Sequence, residues 1–230
     1  MRAALVVFDL DGVLVDSALG IRGSVDVSLA GAGLARLDDG ELASLLGPPI
    51  RNGLGQILER RRLSSDLIAS IIDGLVDTFR SDYADRSLLL TQVFPGIESS
   101  MDVMASRGHR LALATSKPRL ATVALLDHFG LARRLDPVGC PVDVAHDTKT
   151  DVLARVLEQT VQPAGPVRSR RRVVMIGDRW HDMCAARELG CRAIGVLWGY
   201  GTPDELADAG ADVIVEAPGD LAAAIEELLE

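Results

Sequence analysis

The sequence predicts an α/β protein in which a doubly wound parallel sheet carries an inserted all-helical segment. Short apolar segments rich in valine alternate along the chain with segments of about ten residues that have helical periodicity. Such alternation is typical of right-handed βαβ units, whose strands are parallel. The alternation starts at residue 3, is interrupted by a long helical block, and resumes near residue 94.

The predicted strands are short apolar runs. The first one, at residues 3–8, stops at Asp9, which indicates a buried strand followed by a polar loop. Further strands are expected at residues 109–114, 135–138, 173–176, 193–197 and 213–215. Helical patterns follow at residues 97–104, 120–129, 151–157, 182–189 and 221–230. This order of elements predicts a Rossmann-like sheet.

The block after the first strand has only helical patterns. Apolar residues between Leu67 and Phe79 recur every three to four positions, and Gly47-Pro48-Pro49 breaks the helical pattern sharply. We therefore expect two domains. Residues 1–17 and 88–230 would form the α/β core domain, and residues 18–87 would form a helical domain inserted into it.

Composition excludes several classes of partner. The chain has 230 residues and a net charge of −9, because 33 acidic residues face 24 basic ones. Such a protein lacks the attraction to phosphate backbones that drives nucleic-acid binding. No apolar run reaches the roughly 18 residues that span a bilayer, so we expect no membrane partner. The three cysteines form no CxxC pair, which suits a reducing cytoplasm. A monomer and a homodimer both stay open.

Polar side chains follow three of the predicted strands, and one lysine opens a later helix. Because ligands bind beyond the carboxyl ends of parallel strands, we expect these groups to meet at one edge of the sheet. The group consists of Asp9, Asp11, Thr115, Ser116, Lys149, Asp178 and Asp182. Lys149 is one of only two lysines in the chain, the other being Lys117.

This set of side chains suits phosphoryl transfer. Carboxylates held close together repel one another unless a cation joins them. Mg²⁺ takes oxygen ligands and commonly binds a substrate phosphate as well. A carboxylate can act as the nucleophile and form an acyl phosphate, while a second carboxyl protonates the leaving oxygen and later activates water. The composition of the site therefore predicts a Mg²⁺-dependent phosphoryl-transfer enzyme.

Four segments of the chain, taken in order, resemble the four motifs of the haloacid dehalogenase superfamily. The first is the run from Asp9 to Ser17, DLDGVLVDS, and the second is the run from Ala114 to Pro118, ATSKP. Lys149 resembles the third motif, and the run GDRWHD from Gly177 resembles the fourth. The helical insert between the first two motifs is similar to the type 1 cap of that superfamily.

The resemblance implies a role for each of these residues. Asp9 would be the nucleophile that becomes phosphorylated. Asp11 would be the general acid and base, with its backbone carbonyl on Mg²⁺. Asp178 would bind the metal directly, and Asp182 would support it, so that the implied metal set is Asp9, Asp11, Asp178 and Asp182.

The phosphoryl oxygens have their own implied partners. Thr115 and Lys149 would bind them, together with the backbone N–H of Ser116. The segment that precedes Lys149, from Gly139 to Asp147, matches the superfamily poorly.

Further segments are similar to the phosphoglycolate phosphatase and 5′-nucleotidase branch. They are the run LGPPI from Leu46 and the run WGYG from Trp198. In that branch, residues near the Gly-Pro-Pro segment face the substrate, so Arg51 becomes a candidate for binding a substrate anion. The implied substrate is a small phosphate ester, with phosphoglycolate and nucleoside 5′-monophosphates as the leading candidates.

Two other functions stay open. A sugar-phosphate mutase uses the same scaffold but usually has a histidine just after the first motif, where this chain reads ALGI from Ala18. A non-enzymatic phospho-acceptor module also combines aspartates with a lysine and a hydroxyl on a doubly wound sheet, but it has no inserted cap. A basic loop at residues 168–172 belongs to none of these motifs, and we interpret it as solvated.

Overall fold

The computed structural model describes residues 3–144, 146–161 and 169–230. The chain divides into two compact units. The sheet unit comprises Met1–Val15 and Val93–Glu230, and the helical unit comprises Asp16–Gln92. That the first is a phosphatase core and the second its cap stays a prediction.

The sheet unit is built on six parallel strands. They lie in the order β5-β4-β1-β6-β7-β8, so the order of strands reverses between β1 and β6. Phe8 at the end of β1 is in register with Ile176 of β6 on one side and with Leu113 of β4 on the other. The strands are β1 (Leu5–Phe8), β4 (Arg110–Ala114), β5 (Val138–Gly139), β6 (Val173–Gly177), β7 (Arg192–Val196) and β8 (Val213–Val215). The prediction of a Rossmann-like α/β sheet is confirmed.

Helices connect the strands and cover the sheet. All four residues of β1 are fully buried, as a central strand with both faces covered requires. On one face, Leu5 and Val7 belong to a cluster with Leu153 of α7 and Met183 of α8. The helices of this unit are α5 (Ile97–Ser106), α6 (Arg119–His128), α7 (Lys149–Thr160), α8 (Trp180–Glu188), α9 (Pro203–Ala209) and α10 (Leu221–Leu229).

The helical unit has its own apolar core. Leu29 of the first helix, Leu54 and Ile57 of the third, and Leu75 of the fourth are buried in one cluster. The chain breaks where the glycine and prolines predict it, because α3 begins directly after Pro49. The four helices are α1 (Ala18–Gly31), α2 (Asp39–Leu45), α3 (Ile50–Arg60) and α4 (Ser65–Leu90). Two short strands, β2 (Val15–Asp16) and β3 (Gln92–Val93), pair where the chain passes from one unit to the other.

Some boundaries differ from the sequence prediction. The strand expected at residues 135–138 is only Val138–Gly139, and the chain before it forms a 3₁₀ turn over Ala132–Arg134. The basic loop contains a 3₁₀ turn over Arg170–Arg172, whereas Arg168 lies outside the described residues. Among the residues that the structure describes, no helix is both long enough and apolar enough to cross a membrane.

Candidate active site

The candidate site lies at the carboxyl ends of β1, β4 and β6, where the order of the strands reverses. Asp9 directly follows β1, and its backbone N–H continues the sheet by donating to Ile176 O at 2.9 Å. Thr115 directly follows β4, and Asp178 directly follows β6. In doubly wound sheets this reversal opens a crevice that binds ligands. The topology therefore brings together groups that lie up to 173 positions apart in sequence.

Lys149 connects two of the aspartates. It is the first residue of α7, and its Nζ lies 2.8 Å from Asp9 Oδ1 and 2.9 Å from Asp182 Oδ1. Nζ also donates to Ala114 O at 3.0 Å. Burial opposes the charge of the ammonium, but Asp182 and Asp9 outweigh it and hold the pKa of Lys149 above its ordinary value. Lys149 is therefore a permanent cation in the site.

Asp9 is buried, and its pKa lies above that of an ordinary aspartate. Burial is the main cause that raises its pKa to about 6, while Lys149 opposes the rise. Its Oδ1 also accepts a hydrogen bond of 2.7 Å from the backbone N–H of Leu10. The backbone N–H of Leu10 and the Lys149 ammonium thus fix the orientation of the carboxylate.

Asp178 is packed against glycines. Its Oδ2 accepts a hydrogen bond of 2.8 Å from the backbone N–H of Tyr200. A Cβ atom added at Gly12 or Gly199 would overlap the Asp178 side chain, and one added at Gly201 would overlap the Asp178 backbone carbonyl. Gly12 has a φ of 81°, which L side chains rarely adopt. Glycine is therefore required here for close approach of the chain to the carboxylate.

Asp178, Asp9 and Asp182 form a set that fits a divalent cation. One carboxylate oxygen from each of the three lies within 4.8 Å of the other two. Burial, together with the repulsion of Asp182 and Asp9, raises the pKa of Asp178 well above its ordinary value. Asp178 Oδ1 is buried and has no hydrogen-bond partner. Three carboxylates and the Lys149 ammonium leave two formal negative charges, which a hard dication with oxygen ligands would balance.

A second pair of charged side chains borders this set. Lys117 Nζ lies 3.1 Å from Asp11 Oδ2, and the lysine side chain is buried. The backbone N–H of Lys117 also donates to Thr115 Oγ1 at 3.2 Å. Asp11 thus carries its own ammonium partner, separate from the three aspartates that meet around the candidate metal position. Ser116 is half-buried between Thr115 and Lys117.

Lys117 is the residue that sequence reasoning missed. The available signal was its scarcity, because a chain with 24 basic residues has only two lysines and this one stands two positions after Thr115. Arg51 belongs to the helical unit, where it is the second residue of α3 and forms an ion pair with Asp73. The proposed role of Arg51 in substrate binding stays a prediction.

Comparison with known proteins identifies the family. A sequence model described as haloacid dehalogenase-like hydrolase matches residues 6–196, which include the four aspartates and both lysines of the site. The chain belongs to the haloacid dehalogenase-like hydrolases. The resemblance drawn from the four motifs is therefore confirmed.

Curated relatives of this haloacid dehalogenase-like hydrolase are named for different activities. The tyrosine-protein kinase PtkA of Mycobacterium tuberculosis is 34% identical, over 98% of this chain and 71% of the relative. A phosphoglycolate phosphatase of Agrobacterium fabrum is 32% identical, over 98% and 92% of the two chains. A 5′-nucleotidase of Pseudomonas aeruginosa is 30% identical, over 90% and 88%.

Solved structures show the same architecture. The crystal structure of a predicted phosphatase from Clostridium acetobutylicum has a TM-score of 0.83 and 29% sequence identity to this haloacid dehalogenase-like hydrolase. The match covers 99% of this chain and 100% of that one. The similarity thus extends over both units of the chain.

Proposed function

We propose that this protein is a Mg²⁺-dependent phosphatase that hydrolyses small phosphomonoesters through an aspartyl-phosphate intermediate. The observation that carries the proposal is the buried Asp9 carboxylate, oriented by Lys149 beside Asp178 and Asp182 at the switch point of the sheet. Membership in the hydrolase family and relatives named as phosphatases support it.

Asp9, Asp11, Asp178 and Asp182 would hold the metal, Asp11 through its backbone carbonyl. When bound, Mg²⁺ would neutralise the phosphoryl oxygens and so lower the cost of bringing an anion to a carboxylate. Lys149 and Thr115 would bind the same oxygens, assisted by the backbone N–H of Ser116. The positive charge of Lys149 is already fixed in the site by its two ion pairs.

The first chemical step transfers the phosphoryl group to the protein. Asp9 Oδ2, the oxygen that does not accept the hydrogen bonds of Lys149 and Leu10, attacks phosphorus. The bond between phosphorus and the ester oxygen breaks, and the carboxylic acid form of Asp11 gives its proton to the departing alcohol. Asp9 is then an acyl phosphate and Asp11 is a carboxylate.

The second step releases phosphate. Asp11 takes a proton from a water molecule, whose oxygen attacks phosphorus, and the bond between phosphorus and Asp9 breaks. Inorganic phosphate leaves, Asp9 is again a carboxylate, and Asp11 is again protonated. The Lys117 ammonium 3.1 Å from Asp11 Oδ2 would hold the carboxyl group in place during both transfers.

Phosphoglycolate and nucleoside 5′-monophosphates are the proposed substrates, because relatives named for each of these activities cover nearly the whole chain. Arg51 is the proposed partner of a substrate anion, since a guanidinium binds a carboxylate or a phosphate with paired hydrogen bonds. We propose a cytoplasmic protein that acts on small molecules without a nucleic-acid or membrane partner.

The test is phosphate release from a panel of phosphate esters with Mg²⁺ and with a chelator. We expect release that needs Mg²⁺ and is abolished in Asp9→Asn, while Asp136→Asn, which changes an exposed carboxylate, keeps the activity. A radiolabelled ester should label the wild-type protein briefly at an acid-stable, base-labile bond. Full turnover by Asp9→Asn would refute the nucleophile.

The same panel separates the alternatives. A mutase would convert one sugar phosphate into an isomer without net release of phosphate. A phospho-acceptor module would keep its label with negligible turnover. The name of the mycobacterial relative describes transfer of a phosphoryl group from ATP to a tyrosine side chain. Such a transfer would appear as a label that is stable to both acid and base.

A further inference from the structure

An arginine-lined cavity lies at the edge of the sheet opposite the candidate active site. Its volume is about 390 Å³, and its wall includes Arg171, Arg187, Arg192, Cys191, Gly210 and Asp212. Arg171 lies just before β6, Arg192 begins β7, and Asp212 directly precedes β8. Because these strands are parallel, their amino ends share one edge, whereas Asp9 and Asp178 lie at the carboxyl ends.

The charges of this arginine cavity are not balanced. Arg192 is paired with Asp212 at 3.1 Å. Arg171 and Arg187 have no ion pair with any residue in the described part of the chain, and residues 1–2, 145 and 162–168 contain no Asp or Glu. Glu188, the acidic neighbour of Arg187, instead accepts a hydrogen bond from Thr150 Oγ1. Two guanidinium charges therefore stay uncompensated in a protein of net charge −9.

Local structure brings the two uncompensated arginines to one wall. Arg187 is in the last turn of α8, and a Cβ atom at Gly210 would lie 3.5 Å from its Nη1, so the guanidinium lies over the glycine. A cation in the last turn of a helix is favoured by the helix dipole, which accounts for Arg187 alone. Arg171 lies in the 3₁₀ turn before β6, so the dipole of α8 does not explain the position of this second cation.

We propose that this cavity is a binding site for a small molecule that carries a dianionic phosphate group, separate from the phosphate-ester site around Asp9. Two guanidinium groups match the charge of one phosphate dianion, and their planar donor arrays suit its oxygens. The volume lies within the roughly 300–1,000 Å³ typical of small-molecule sites.

The cavity is built for binding rather than for covalent chemistry. Its wall contains one thiol, that of Cys191, which is buried, and burial raises the pKa of this thiol to about 11. The thiol is therefore protonated at neutral pH and adds no negative charge that would oppose an anion. The proposal does not depend on the activity assigned to Asp9, because the two sites share no residue.

Backbone NMR of the ¹⁵N-labelled chain tests the proposal without reference to turnover. Inorganic phosphate and adenosine 5′-monophosphate would each be titrated with a chelator present, at constant ionic strength kept with chloride. We expect saturable shifts of the amides of Gly190, Ala193 and Gly210. Tighter binding of the nucleotide would assign the site to a phosphorylated metabolite, and equal binding would assign it to free phosphate.

Variants separate this site from the one at Asp9. The double variant Arg171→Ala, Arg187→Ala should lower the affinity measured from the shifts near Gly190 by at least about tenfold, because charged hydrogen bonds to the anion are lost. Arg187→Lys keeps the charge and should have an intermediate affinity. Arg133→Ala, an exposed arginine elsewhere, should bind as the wild type does.

Two results would overturn the proposal. One is that the shifts near Gly190 grow linearly with phosphate concentration and do not saturate. Screening of scattered surface charges would produce such a linear response. The other is an unchanged affinity at these amides in the double variant. Because Arg171 and Arg187 are both exposed, the variants should fold, and the amides near Asp9 report this in the same spectra.

Discussion

Lys117 Nζ lies 3.1 Å from Asp11 Oδ2, so the carboxyl group proposed as general acid and base is held by a buried ammonium. The same lysine donates its backbone N–H to the hydroxyl of Thr115. One residue thus connects the proton-transfer group with a proposed phosphate-binding group. A positioning residue of this kind affects the chemical step more than substrate binding.

Replacing Lys117 with methionine should therefore lower kcat with little change in KM. A displacement of about 1 Å at a reacting group can cost about 100-fold in rate. We expect a loss of kcat of about 10- to 100-fold, measured by phosphate release at a temperature below the melting point of the variant. Arg119→Met, an exposed cation two positions further on, is the matched control. A rise in KM alone would contradict a positioning role.

Asp178→Asn should stabilise the protein in the absence of metal. The folded state raises the pKa of Asp178, so it binds the proton more tightly than the unfolded chain and loses stability as pH rises above the ordinary pKa of an aspartate. Asparagine removes that charge and can still accept the hydrogen bond from Tyr200. The measurement is the melting temperature with a chelator.

The same variant should also lose its response to Mg²⁺. At a concentration 100 times its Kd, a ligand stabilises the folded state by about 2.7 kcal/mol, which is about 5–10 °C in Tm for a chain of this size. We expect this rise in the wild type and in Asp208→Asn, an exposed control, but not in Asp178→Asn. An equal rise in all three proteins would remove Asp178 from the metal site.

Because of the buried His109, we expect the folded protein to lose stability in mild acid. Its Nδ1 accepts a hydrogen bond of 3.3 Å from the backbone N–H of Ala4, which requires that nitrogen to be unprotonated. Burial is the main cause that lowers the pKa of His109 below 6.5; Glu226 opposes the shift, whereas Arg172 and Arg107 add to it.

The sign of the pH effect follows from this lowered pKa. As pH falls below 6.5, the unfolded chain binds a proton before the folded one does, so the contribution of His109 to stability is present above 6.5 and decreases below it. In His109→Asn, whose amide oxygen can accept from Ala4, the melting temperature should depend less on pH between 7 and 5 than in the wild type. The exposed His128→Asn should change nothing, and identical pH profiles for all three proteins would refute the assignment.

Arg51 can be tested against its own ion-pair partner. Both Arg51→Ala and Asp73→Ala break the ion pair on the helical unit, but only the first removes the guanidinium. If Arg51 binds a substrate anion, its removal should raise KM about tenfold, as expected for one lost charged hydrogen bond. Asp73→Ala should leave KM unchanged or lower it. Equal effects of the two variants would show that only the ion pair matters.

Much of the sheet could be predicted because its strands are buried on both faces. The apolar run of β1 ends at Asp9, and the rule that ligands bind at the carboxyl ends of parallel strands brings Asp9, Thr115 and Asp178 to one edge. Apolar patterns were less informative near the edge of the sheet. The strand β5 has only two half-buried residues, Val138 and Gly139, and the nearest 3₁₀ turn before it covers Ala132–Arg134.

Pairs that form across loops left no periodic pattern in the sequence. The ion pair of Lys117 with Asp11 joins loops that follow two different strands, and its partners are 106 positions apart. The arginine cavity likewise combines residues from several separate connections, of which only the run Arg170–Arg172 was visible as a cluster in the sequence. Such features depend on strand order, which hydrophobic periodicity alone does not determine.

The glycines packed around Asp178 bear on which ion the site would accept. With Gly12 and Gly199 against its side chain and Gly201 against its backbone carbonyl, Asp178 has little space to turn its carboxylate. Calcium takes six to eight oxygens at longer distances and favours pliable sites, whereas magnesium needs short bonds in a nearly fixed octahedron. The close packing around Asp178 would therefore favour an ion of small radius, so that calcium should compete poorly even where it is abundant.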